Sequence, residues 1–246
     1  LIGLFPRSIT GTLSNDRQDY PWGDELKMNV LDISLPGSIP TPFQEAALFH
    51  EDTKTLIVCD SVISVRDTPP AVVAAEPRGL LSIAGKLPKD LTEEESASVD
   101  KMAINTPQNR NLGWKKTALL ALFLSPSAVS KDLGEYLEKG FVWSEGWQET
   151  FKAVSSQKVV VSPLVSELVF KPQREKVKEW AARVAQWPMR RIIGAHFSIA
   201  QANSKDFLRA FSFLDNVAQP SIPGTKKDDF EVLSFISKAA FGDKGQ

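Results

Sequence analysis

Apolar and polar positions alternate first at KMNVLDISL, residues 27–35, which predicts a strand between the turn-rich stretches YPWGDE and SLPGSIPTP. The segments QEAALFH (44–50) and KTLIVCD (54–60) follow, separated by Glu51, Asp52 and Thr53. Two short apolar runs around a three-residue polar break predict a β-hairpin. Their apolar residues are nearly continuous, so both faces of the hairpin are expected to be covered.

From Ser61 to Arg110 the pattern weakens, punctuated by TPP, AEP, KLP and NTP. Thr92 and Glu95 have capping-box spacing for a helix within it. The whole segment reads as a long Pro-rich surface excursion or interaction arm of one domain spanning residues 1–246.

The second half changes period. LGWKKTALLALFL (112–124) predicts an apolar helix stopped at Ser125-Pro126, because proline disfavours helical geometry in the residue before it. Ser144 is placed to cap a helix that carries Trp147, Phe151 and Val154 on one side. In PQREKVKEWAARVAQW, Pro172 suits a first turn, and Val177, Trp180, Ala181 and Val184 share a face. MRRIIGAHF then predicts a buried strand. Two last helices are expected over SKDFLRAFSFLDN and DDFEVLSFISKAAF, with Ser204 and Asp228 as caps and Gly242 as the stop. The pattern is α+β, with strands early and a helical C-terminal half.

Composition narrows the partners. Lys plus Arg number 29 against 30 Asp plus Glu, a net charge of -1, which offers no broad attraction to phosphate backbones or anionic membranes. No nucleic-acid partner is expected. The longest apolar run, ALLALFL, is far short of the roughly 20 residues of a transmembrane helix, so at most peripheral membrane association is expected. A nearly neutral chain with long Pro-rich surface segments would suit protein partners in a larger complex, though no residue identifies one. Cys59, the single cysteine, cannot form an internal disulfide, and TLIVCD places it as a buried thiol. The chain starts Leu-Ile-Gly without an initiator Met, which reads as a processing site or an incomplete start.

Candidate chemistry is sparse. HEDTK (50–54) begins like a zinc-protease motif but has Lys54 in place of the second histidine. PGTKKDD (223–229) lacks the spacing of a phosphate-binding loop, and neither a dinucleotide fingerprint nor a Gly-x-Ser-x-Gly elbow occurs. Glu93, Glu94 and Glu95 suit a solvated helix start. Trp147, Trp180 and Trp187 follow helical faces, and Trp22, between Pro21 and Gly23, suits the surface. Two elements share a design: TLIVCD ends a strand with Asp60, and RIIGAHF ends another with His196. Strand ends of a helix-covered sheet deliver side chains into one crevice, but a zinc ion needs at least three protein groups.

His50 does not supply the third. If it pairs near Lys54, Asp60 lies opposite Gln44, about six residues or roughly 20 Å along the strand. The alternatives for His196 are a strand-end imidazole hydrogen-bonded in the core or one ligand of an incomplete set. Asp60 is correspondingly a ligand or a cap for the turn at Ser61.

The segments FQEAALFHEDTKTLIVCDSVISV, PP at 69–70, LGWKKTALLALFLSP and WPMRRIIGAHF together resemble a domain-of-unknown-function family, number 4336, found in cyanobacteria, other bacteria and plastid-bearing eukaryotes. The resemblance spans roughly residues 20–215. It implies a relation to the metallo-β-lactamase fold, here a partial sandwich with sheets inside and helices outside. It maps the superfamily's strand-end aspartate onto Asp60 and its late histidine onto His196, as vestigial metal positions. The His-x-His-x-Asp-His loop that supplies most ligands there has no counterpart in the sequence. The resemblance thus implies a catalytically inactive protein without a cofactor, acting as a binding or accessory subunit of a chloroplast complex associated with thylakoids or a photosystem. The competing expectation is a metal-dependent hydrolase with a single zinc or iron, whose missing ligands lie upstream of residue 1.

Overall fold

Alternation at the start of the chain becomes β1 (Leu26–Leu35), and the predicted hairpin becomes β2 (Thr41–His50) and β3 (Thr55–Val58). These come from a computed structural model, which describes residues 13–15, 20–36, 41–85, 103–135 and 140–242. β4 (Arg191–Gly194) completes a four-stranded sheet in the order β1-β2-β3-β4. The first two pairings are antiparallel and the last is parallel. A parallel neighbour needs a long crossover, and residues 59–190 provide it. The fold is α+β, and among the described residues the named strands form this one sheet.

The hairpin differs from its expectation by one residue. Its turn runs over Glu51–Lys54, with Lys54 in the left-handed region at φ 51°, so His50 pairs with Thr55 instead of Lys54. The expected double-sided burial is also replaced by alternation along β2. Glu45, Ala47 and Phe49 are buried, while Ala46, Leu48 and His50 are half-buried. Apolar composition alone did not distinguish those faces.

Helices α1 (Ala71–Ala75) and α2 (Arg78–Ala84) precede α3 (Pro107–Phe123), which starts at Thr106 with its side chain accepting from Asn109 N at 3.1 Å. Next come α4 (Trp147–Ser155), α5 (Arg174–Val184), α6 (Ser204–Ala210) and α7 (Glu231–Phe241). Pro172 lies in a short 3-10 turn (Lys171–Gln173), between a π-helical stretch (Ser166–Phe170) and α5. Three expected caps move. Gly146 stands at the start of α4 with φ 87°, and Ser144 donates to Ala128 O instead. Asn203 caps α6 in a capping box with Asp206, displacing Ser204. A 3-10 turn (Lys227–Phe230) precedes α7, and Phe230, not Asp228, stands at its N-terminus. Gly242 does end α7, with φ 68°. The positions Thr92 to Glu95 lie outside the described residues.

Two apolar clusters result. One packs β1–β3 against α5, α6 and the turn after α6, with Trp180, Phe207 and Phe211 at its centre. The other gathers Trp114, Leu119 and Phe123 of α3, Trp147 and Phe151 of α4, and Phe230. Ile63 and Val160 join them through a two-bond antiparallel bridge, each N–H donating to the other's carbonyl at 2.9 Å. Side chains alternate across extended backbone, so Val159 and Val161 enter the sheet cluster while Val160 enters the other. Ser61–Val65, the head of the segment expected to run over the surface, is therefore buried at this junction. Further along, Val72 and Ile104 are exposed. Among the described residues, no helix is long and apolar enough to cross a membrane.

Candidate functional site

The parallel register of β3 and β4 decides which side chains meet. Val58 is level with Gly194, and two residues further along both strands stand Asp60 and His196. Their side chains touch, with His196 Nε2 3.1 Å from Asp60 Oδ1. The two sequence candidates are thus brought together. They do not lie in the core: the side chains are 64% exposed for His196 and 44% for Asp60. The expectation of a buried strand end is corrected by position. β4 is the last strand of the sheet, and past Gly194 the chain leaves it, turning back so that Ala200 exchanges two hydrogen bonds with Ile192. An exposed pair of this kind contributes about 0–1 kcal/mol.

The backbone around the pair is closely built. A Cβ added at Gly194 would stand 3.0 Å from Val62 O, so glycine lets β4 approach the chain leaving β3. Phe197, next to His196, has φ 67°, a conformation that L side chains rarely adopt. It is held there by Ser198 N donating to Ser64 O at 3.0 Å and by its ring against Trp114, 5.8 Å between centroids. The Trp114 indole N–H in turn donates to Arg66 O at 2.7 Å.

Beneath the pair sits a carboxylate that the sequence reading missed. Glu45 is 1% exposed and accepts from Cys59 N at 2.8 Å, Asp60 N at 3.0 Å and Ser61 Oγ at 3.2 Å. Desolvation pushes its carboxyl above the ordinary range, opposed by these donors, with the Asp60 charge adding to the rise. Continuing the observed β2–β3 register by three residues places Glu45, not Gln44, opposite Asp60. A one-residue shift in a strand exchanges its two faces, and it hid this residue. The signal available was an acidic residue within an otherwise apolar strand segment.

Cys59 corrects another expectation, because it is exposed rather than buried. Partial desolvation and the nearby Glu45 and Asp60 carboxylates push its thiol up, away from the thiolate that nucleophilic or metal chemistry requires. His50 is at the far end of the hairpin, where Nδ1 is 2.9 Å from Thr53 Oγ1.

Asp60 and His196 converge as two ligands of one ion would, but no third group joins them among the described residues. Among the described residues, no cluster of three or more His, Cys, Asp and Glu side chains is arranged to hold a metal. Both Glu45 oxygens already face donors on the turn. The described residues do not fit a zinc or iron site with three protein ligands. Arranged this way, the buried carboxylate binds the backbone of the turn while the exposed pair joins the ends of β3 and β4.

No curated protein and no solved structure shows significant similarity to the chain. A family profile does match it over residues 1–213, and on that span the chain belongs to DUF4336, a domain of unknown function.

Proposed function

We propose that the protein is a non-catalytic binding or structural accessory subunit, and that its sheet and helices are a reduced form of the metallo-β-lactamase-like sandwich. The observation that carries this reading is the employment of Glu45 and Asp60, the two acids that meet the turn after β3. Glu45 accepts two backbone N–H groups and a hydroxyl of the turn, and Asp60 faces His196. Groups that would polarise water in a hydrolase are here partners of the scaffold. The setting in a plastid complex at the thylakoid or a photosystem rests on resemblance to cyanobacterial and plastid proteins.

A metal-dependent hydrolase is the second reading, favoured by one distance. Nε2 and Oδ1 stand 3.1 Å apart on the exposed side of the sheet end, a spacing open to one shared ion. Its remaining ligands would come from residues beyond those described or from another chain. Such an ion would supply an activated water.

Elemental analysis of the purified full-length protein separates the two. The accessory-subunit reading expects less than stoichiometric zinc and iron, unchanged in Asp60→Ala or His196→Ala, and co-migration with a larger assembly. Stoichiometric metal lost in both variants would overturn it.

A further inference from the structure

β1 ends the sheet on the side away from β4, and side chains occupy part of its open edge. Val30 N donates to Asn15 Oδ1 at 2.7 Å, and Asn15 Nδ2 donates to Val30 O at 2.7 Å. One side-chain amide thus meets both backbone groups of one residue, as a neighbouring strand would. Four residues on, Gln173 Nε2 donates to Ser34 O at 2.8 Å. Backbone groups on a strand face alternate sides, so Met28 and Asp32 present theirs on the same edge as Val30 and Ser34.

Beside this edge lies an open cleft of about 480 Å³. Its walls include Tyr20, Met28, Asn29, Arg183, Gln186 and Trp187. Two cations, Lys27 and Arg183, line it, and among the described residues none of its lining side chains is acidic. Lys27 is paired with Glu51, whereas Arg183 is exposed and has no carboxylate partner among the described residues.

From these features we infer that the edge of β1 is a docking site for an extended segment of a partner protein carrying an acidic side chain. The segment adds to the sheet as a further strand. It takes over the two groups held by Asn15, gains those of Met28 and Asp32, and sets its acidic side chain against Arg183. The side chain of Asn15 is then a stand-in that quiets the edge while no partner is bound. This deepens the accessory-subunit reading and rests on it only in assuming a protein partner.

A blocked synthetic peptide of alternating valine and threonine with one central glutamate serves as probe, using the full chain. Binding is expected to slow hydrogen exchange at the Met28 and Asp32 amides. N-methylation of the peptide amides on the sheet-facing side should weaken it about tenfold, as loss of one or two hydrogen bonds requires, and methylation on the other side should not. Asn15→Ala should bind more tightly, and Arg183→Glu should prefer a lysine-bearing peptide. If the two methylated peptides bind alike, or protection appears elsewhere, or no peptide binds, the edge is not a docking site. The metal and assembly measurements judge the accessory-subunit reading separately. Because methylation alters only the probe, the test survives a variant that folds poorly.

Discussion

Glu45 shows how a single buried acid can organise a turn and still carry a cost. Burial holds its carboxyl above the value of 4.5 for a free side chain, even with three donors upon it. The folded protein therefore keeps a proton at a pH where the unfolded chain has lost it. Stability from this group is fullest below about pH 4.5 and falls as pH rises through the folded-state value. Glu167, raised by desolvation in spite of Lys171 at 2.6 Å, acts with the same sign. Glu45→Gln should flatten the fall in unfolding free energy above about pH 4.5, while costing roughly 1–3 kcal/mol because an amide N–H then faces a backbone donor. Denaturant titrations across that range check it, and an unchanged slope would refute the assignment. Asp60 and His196 were legible from the sequence because strand ends are marked by where apolar runs stop. Glu45 was not, since its partners on the turn, two backbone N–H groups and the Ser61 hydroxyl, are selected by register.

Among the elements, α2 and α3 depend on the absence of one methyl group. A Cβ on Gly113 would lie 1.9 Å from the carbonyl oxygen of Leu80, too close to exist without separating the helices. Gly113→Ala is expected to destabilise by about 1–3 kcal/mol or more, the usual cost of overpacking, although alanine favours an isolated helix. Thermal unfolding would show it, and a variant as stable as the parent would contradict the close approach. The helical faces of α4 and α5 followed from spacing: Trp147, Phe151 and Val154 are buried, as are Val177, Trp180, Ala181 and Val184. Caps were less legible. Asn203, Ser204 and Asp206 all have capping chemistry, and backbone direction selects Asn203 as the cap.

For the whole molecule, the C-terminal segment is a structural partner of the family region. The family match ends at residue 213, yet Ile222 and Phe230 are buried in the second cluster, and Phe230 meets Phe123 edge-on at 5.3 Å. Asp229, wholly buried, accepts from Ser127 N at 3.0 Å, Ser127 Oγ at 2.6 Å, Thr150 Oγ1 at 3.1 Å and Lys226 N at 3.1 Å. It ties the ends of α3 and α4 to the approach of α7. Truncation after residue 213 should remove on the order of several kcal/mol, since each large buried apolar side chain contributes about 1.5–3. Exposure of Trp147 and Phe123 would appear as dye binding and as loss of near-ultraviolet dichroism. A truncated chain with the parent's unfolding midpoint would show that the second cluster does not need this segment.

By itself the sequence determined the strands of β1 and the hairpin, the apolar faces of α4 and α5, and the places of Asp60 and His196 at the ends of two apolar runs. Those properties are set by residue spacing over one or a few turns of chain. Tertiary structure alone decided that β3 and β4 run parallel in the register bringing Asp60 to His196, that β4 ends the sheet and leaves His196 exposed, and that Glu45 lies beneath them. Each depends on pairing between segments separated by tens of residues or more, where a shift of one position exchanges buried and exposed faces.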